Sequence, residues 1–232
     1  MFNGIILVDK PEGWTSFDVV AKIRGIVSVT EQKRVKVGHS GTLDPFATGL
    51  LIIFLGSYTK MAQEFTKLDK IYDVSLRLGE HSTTGDPEGD VSGISKRVPA
   101  KIEIEEALAK LSGKQMQTPP IYSAIKVNGQ RSYDLARQGK AAKLEPRPVT
   151  IFNNSLISYT YPVVRFSSHV SSGTYIRSLV EDIGKELGVG AYTFELRRTT
   201  VGDYDIKDAI SILGCSSVEI ASHLLTPQEN KK

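Results

Sequence analysis

The sequence predicts an α+β fold: a mixed, largely antiparallel central sheet with flanking helices and one inserted loop. Three observations carry this. Residues 71–78 alternate like a half-buried strand, with Tyr72 and Val74 on one face and Asp73, Ser75 and Arg77 on the other. Residues 151–159 and 163–170 are two further strand-like runs placed to pair with each other. Helical stretches interrupt the strands with no internal repeat and no βαβαβ alternation, which argues against a parallel sheet.

Residues 4–9 are rich in Ile, Leu and Val and predict a buried strand, closed by the turn Lys10-Pro11-Glu12-Gly13. Thr15 or Ser16 caps a helix to about residue 26, with Phe17, Val20, Ala21 and Ile23 on its apolar side. Residues 30–50 read as loop, charged first and then rich in Gly and Thr; residues 50–55 form a central strand ending at Gly56. A short helix is expected over 59–68, and a turn-rich loop over 81–93. An amphipathic helix over 104–111 stops at Gly113. Residues 175–187 form another, with Ile176, Leu179, Val180, Ile183 and Leu187 on one stripe and Gly188 at its end. Residues 191–204 are strand-like; 208–213 and 218–223 predict short helical pieces ahead of a polar tail. One catalytic domain over 1–210 is expected, with an insertion at about 114–148 and a short helical extension over 211–232.

Composition narrows the chemistry. A single cysteine, Cys215, excludes a disulfide framework and a thiolate zinc cluster, and His39, His81, His169 and His223 are too scattered to suggest a metal site. The longest apolar run, residues 50–55, is far short of the roughly 20 residues a membrane helix needs. No phosphate-binding glycine loop, dinucleotide fingerprint or nucleophile elbow is present. A reducing, cytoplasmic compartment follows as the expectation, and a monomer is taken as the default. The net charge of +3 is small, but residues 114–147 hold seven basic side chains against two acidic ones. Such a stretch serves equally as a solvated loop or as a grip on phosphates.

The densest chemistry lies in Gly38-His39-Ser40-Gly41-Thr42-Leu43-Asp44-Pro45. Glycines permit close approach of a substrate, and Pro45 biases Asp44 toward extended geometry. Taken alone, Asp44 reads as an active-site acid or as the capping carboxylate of an Asp-Pro turn.

Residues 38–51 closely resemble the catalytic motif of the TruB-type tRNA pseudouridine-55 synthases, and further stretches agree in the same order. These are the opening Gly4-Ile5-Ile6-Leu7-Val8-Asp9-Lys10-Pro11-Glu12-Gly13, the strand Lys70-Ile71-Tyr72-Asp73-Val74, the insertion from Pro119-Pro120-Ile121-Tyr122-Ser123, and Ser172-Gly173-Thr174-Tyr175-Ile176-Arg177 with Leu196-Arg197-Arg198. The resemblance covers about residues 4–205. It implies the pseudouridine synthase catalytic fold and isomerisation, without cofactor or metal, of a flipped uridine in the T loop of tRNA. By that resemblance Asp44 acts at the ribose, where positive charge develops at the anomeric carbon. Arg177 pairs with Asp44, Tyr72 stacks on the target base, Leu196 walls the uracil, and His39 wedges into the RNA. Lys10, Lys126, Arg131 and Arg137 are the implied phosphate contacts. No membrane and no protein partner are implied. About 25 residues follow the last matched strand, too few for the C-terminal PUA domain that relatives often carry. In residues 81–86, Thr83 stands where the family commonly has an acid. A tRNA-folding helper, an RNA-guided rRNA-type pseudouridine synthase and, more remotely, a nucleosidase are the competing readings.

Overall fold

A computed structural model describes residues 1–226 apart from Ala124, Asn128, Tyr133, Asp134, Ala136, Arg137 and residues 139–143; for Lys126, Val127 and Arg131 only the main chain is described. In chain order its elements are β1 (Gly4–Lys10), α1 (Ser16–Thr30), β2 (Val37–Ser40), β3 (Thr48–Leu55), a 3₁₀ turn (Gly56–Met61), α2 (Ala62–Thr66), β4 (Lys70–Leu78), β5 (Glu80–Ser82) and β6 (Val91–Gly93). Then come α3 (Lys101–Lys110), β7 (Gly113–Gln117), β8 (Lys126–Val127), β9 (Gln130–Arg131), β10 (Arg147–Thr160), β11 (Val163–Val170), α4 (Ile176–Glu186) and β12 (Ala191–Val201). The chain finishes with β13 (Tyr204–Asp205), β14 (Ile210–Ser211) and α5 (Ser217–Ser222). Two units are built from these. The first comprises Met1–Tyr72 and the chain from Arg197 onward; the second is Asp73–Leu196.

In the first unit, β3 is fully buried after its first residue and pairs antiparallel with β1 from Gly49 to Leu55. Its other edge is shared end to end: β2 pairs antiparallel with Ile52–Leu55, and β12 pairs parallel at Thr48 and Gly49. The segment 41–47 leaves the sheet where one neighbour gives way to the other. Gly49 is obligatory at that point, because its φ is +104° and a Cβ there would lie 2.3 Å from the Arg198 carbonyl oxygen. One face of β1 and β3 packs on α1 through Val19, Val20, Ile23 and Val27.

Helix α1 begins where expected, with Thr15 as N-cap in a reciprocal capping box with Asp18. It runs four residues past the expected end, because Val27 still has core to bury into. Phe17, expected on the apolar side, is 63% exposed, and Val19 takes that place. Residues 37–40 are strand rather than loop. The C-terminal segment departs most: Ile210 and Ser211 form no helix but pair parallel with Val8 and Asp9, and Ile212, Cys215 and Ile220 enter the same core as α1. Helix α5 at 217–222 agrees with the expectation.

In the second unit the strand order is β12, β4, β11, β10, β7. The long β10–β11 hairpin and the β10–β7 pair are antiparallel, as are β5–β6 within the expected turn-rich loop. Helices α3 and α4 supply the buried stripes Ile104, Ala107, Leu108 and Ile176, Leu179, Val180, Ile183. The insertion leaves at Gln117 and returns at Arg147, which are register partners. The sequence also predicts a helical piece around 133–137; apart from Leu135 these residues lie outside the described ones.

Candidate active site

Asp44 is half-buried, and its loop is fastened through the main chain from three directions, all within the first unit. The hydroxyl of Ser16, in the first turn of α1, accepts from the Leu43 N–H at 2.9 Å and donates to the Leu43 carbonyl at 3.2 Å. The Gly13 N–H donates to the Pro45 carbonyl at 2.8 Å, and the Ala47 N–H closes a turn onto the Asp44 carbonyl at 3.1 Å. Arg198, almost completely buried, donates from Nη2 to the Gly41 carbonyl (3.0 Å) and from Nε to the Leu50 carbonyl (2.8 Å), bracing both ends of the loop. Arg197 binds the carboxylate of Asp9 in β1 through both terminal nitrogens (3.1 and 2.6 Å) and reaches Thr48 Oγ1. A carboxylate on such a loop is held in place before any substrate arrives, and pre-set geometry is what a reacting group requires.

Lys10 has a duty other than the expected phosphate contact. It is fully buried, and its Nζ donates to the carbonyls of Pro11 (2.9 Å), Trp14 (2.5 Å) and Pro45 (3.2 Å). A buried ammonium needs its donors satisfied, and here they tie the opening turn to the Asp44 loop.

His39, on β2, is half-buried, and its Nδ1 is buried with no hydrogen-bond partner among the described residues. Burial, with the Arg198 charge as second cause, holds its pKa below the usual histidine value. The ring is therefore neutral at pH 7, which suits packing against a base. The folded state binds a proton here less readily than the unfolded chain, so this group costs stability once pH falls below about 6.5. His39→Asn is expected to flatten the decline in melting temperature between pH 7 and 5; unchanged slopes would remove His39 from that account. Tyr72 is buried on β4. Two residues before it, Lys70 is pushed down to about 8 by burial and the Arg198 charge, with Asp69 opposing. Its Nζ donates to the carbonyls of Thr66 (2.9 Å) and Leu68.

In the second unit Arg177 lies in the first turn of α4, buried, as is its partner Asp86 (side chains 5% and 3% exposed). Nη1 donates to Asp86 Oδ2 at 3.1 Å and to the Thr84 carbonyl at 2.9 Å; Nη2 donates to the Tyr122 carbonyl at 2.7 Å. Asp86 is itself held by the Thr84 hydroxyl (2.5 Å) and the Glu88 N–H (3.1 Å). The acid of this loop that meets Arg177 is thus Asp86, which sequence reasoning passed over while marking Thr83 as a departure. The signal was available in the run Thr84-Gly85-Asp86, where a glycine allows a tight turn around a carboxylate. Leu196 is buried near the middle of β12. Lys126 and Arg131 are register partners in the β8–β9 hairpin within the insertion, but their side chains, and all of Arg137, lie outside the described residues. Among the described residues no His/Cys/Asp/Glu cluster is arranged to hold a metal, and no helix is long and apolar enough to cross a membrane.

The parts so placed are a clamped aspartate and a buried, carboxylate-paired arginine on an α+β frame with a basic insertion. Residues 28–176 match the family model described as TruB family pseudouridylate synthase, N-terminal domain, and residues 177–219 match that of the tRNA pseudouridylate synthase B C-terminal domain. The chain is 41% identical over 229 residues to tRNA pseudouridine synthase B of Aeromonas salmonicida, covering 98% of this chain and 70% of that one. It is 44% identical over 210 residues to the Chlorobaculum tepidum protein of the same name, covering 89% and 87%. Among solved structures it is similar to a chain of a Cbf5-Nop10-Gar1 complex, with 32% identity and a TM-score of 0.69 over 90% of this chain; the chain spans about half (52%) of that one. The class defined is that of enzymes that turn uridine into pseudouridine. Within it, the chain belongs to the TruB family of pseudouridylate synthases.

Proposed function

We propose that this protein isomerises a uridine in the T loop of tRNA, position 55 by family resemblance, to pseudouridine, in the cytoplasm, as a monomer needing no cofactor and no protein partner. The observation that carries the reading is the fastened Asp44 loop, in a chain whose relatives of 41–44% identity are named for tRNA. The reaction cleaves the bond from C1′ to N1, turns the uracil and joins C1′ to C5; C5 gives up its proton and N1 takes one up, so the product is an isomer of the substrate. An ionised Asp44 acts at the ribose as charge develops there, and Arg177 keeps the acid charged and oriented. The base must leave the stack to be reached, and Tyr72 and His39 return part of that cost by stacking, about 1–3 kcal/mol per base. Leu196 walls the uracil.

The RNA-guided alternative draws on the Cbf5 likeness, but the identity and the share of the relative's own chain that is covered are both lower there than for the tRNA enzymes. Incubation with an unmodified tRNA transcript and chemical mapping of pseudouridine decides between the readings. One modified T-loop uridine is expected; free uracil would indicate a nucleosidase, and tight binding without product a folding helper.

The insertion is assigned the grip on phosphates through Lys126, Arg131 and Arg137. Removing two of these cations with the double variant Lys126→Ala, Arg131→Ala is expected to reduce the slope of log affinity against log salt by roughly 1–2. An unchanged slope places the phosphate contacts elsewhere.

A further inference from the structure

We propose that Gln117 is a positioning residue for Arg177, joining the base of the insertion to the helix that carries the arginine. This rests on the function proposed above. Helix α4 has no capping side chain of its own: its N-cap, Tyr175, makes no side-chain bond to the first turn. A side chain from a strand instead holds the residue at which the helix starts. The Gln117 carboxamide, buried at the end of β7, accepts from the Tyr175 N–H at 2.8 Å and donates to the Tyr175 carbonyl at 3.0 Å. One planar amide thus grips both main-chain polar groups of a single residue and fixes its orientation as well as its place.

The grip continues along the next residues. Ser178 Oγ donates to the Thr118 carbonyl at 3.1 Å, and Arg177 Nη2 donates to the Tyr122 carbonyl at 2.7 Å. Residues 117–122 and 175–178 are therefore stitched together in four places. Gln117 also faces Arg147 in register, so it is the hinge residue at which the insertion leaves the sheet. A strain applied to the insertion by bound RNA reaches the guanidinium through this short ladder. Sequence reasoning passed over Gln117, because its partner lies 58 residues away.

The test uses single-turnover pseudouridine formation at saturating tRNA. Gln117→Leu keeps the approximate volume and removes both bonds. It is expected to lower the rate about 10- to 100-fold, the cost of a small misplacement, with tRNA affinity unchanged. In an Arg177→Lys background the same substitution is expected to cost little more, because the two residues act as a unit. Gln117→Glu is expected to regain rate relative to the parent protein as pH falls from about 8 to 6, since a protonated carboxyl donates and accepts as the amide does. A parental rate for Gln117→Leu, equal fold-losses in both backgrounds, a loss confined to affinity, or no pH-dependent recovery would each overturn the proposal. If the parent protein makes no pseudouridine, the functional reading fails. The arginine side-chain ¹H–¹⁵N spectrum then decides: the Arg177 signal, assigned by its loss in Arg177→Lys, is expected to move in Gln117→Leu, and an unmoved signal overturns the positioning role.

Discussion

Asp44→Asn is expected to lower pseudouridine formation by about 10⁴-fold or more, the scale on which loss of a reacting group is felt. Asparagine has nearly the same shape, so the test isolates charge. A neutral amide neither attacks an electron-poor ribose carbon nor stabilises the positive charge developing there. The fold survives the change for a definite reason: the loop is held through the main chain of Gly41, Leu43 and Pro45, by Arg198, Ser16, Gly13 and Lys10. Thermal melts of the variant should therefore still show a cooperative folded state, and tRNA should still bind. Pseudouridine formed at comparable rates by both proteins would strip Asp44 of its role.

Asp86→Ala is expected to cost about 3 kcal/mol of stability, at the lower end for removing one partner of a buried ion pair. The lower end applies because Arg177 keeps the Thr84 and Tyr122 carbonyls as acceptors. Asp86→Asn, which retains an acceptor for the Thr84 hydroxyl and the Glu88 N–H, is expected to cost less. Urea denaturation measures both. A loss under about 1 kcal/mol for Asp86→Ala would rank the pair with ordinary surface bridges. Activity should fall further than stability alone explains, since the carboxylate also fixes where the guanidinium points.

Much of this was legible in the residues. The strand at β4, the β10–β11 pair and the stripe of α4 all carry their periodicity openly, and each was anticipated within a few residues. Strand β2 was hidden because Val37-Gly38-His39-Ser40 has no strand signature of its own; it is a strand because the open edge of β3 lies beside it. Likewise Ile210 and Ser211 look like the start of a helix until β1 offers a parallel edge more than 200 residues upstream. The site divides the same way. Asp44 and Arg177 stand in recognisable motifs, whereas the groups that hold them lie far off in sequence. Ser16 served equally well as a helix cap, Lys10 as a surface cation, and Gln117 as one polar residue among several. Only the close approach of distant segments gives them their tasks.

The return of the C-terminal segment into the first unit bears on how the protein is made. Leu225 exchanges both main-chain hydrogen bonds with Ile5, Ile212 and Ile220 complete the core beneath α1, and Arg198 braces the loop of Asp44. On a ribosome, Asp73–Leu196 is available as one uninterrupted stretch, while β1, α1 and β3 must wait for the segment from Arg197 onward before their sheet and core can close. The aspartate motif is thus synthesised well before the segment that locks it. A nascent chain cannot present a finished Asp44 loop to RNA until the segment from Arg197 to Leu225 has been made, which ties the onset of chemistry to a stretch far downstream of the motif.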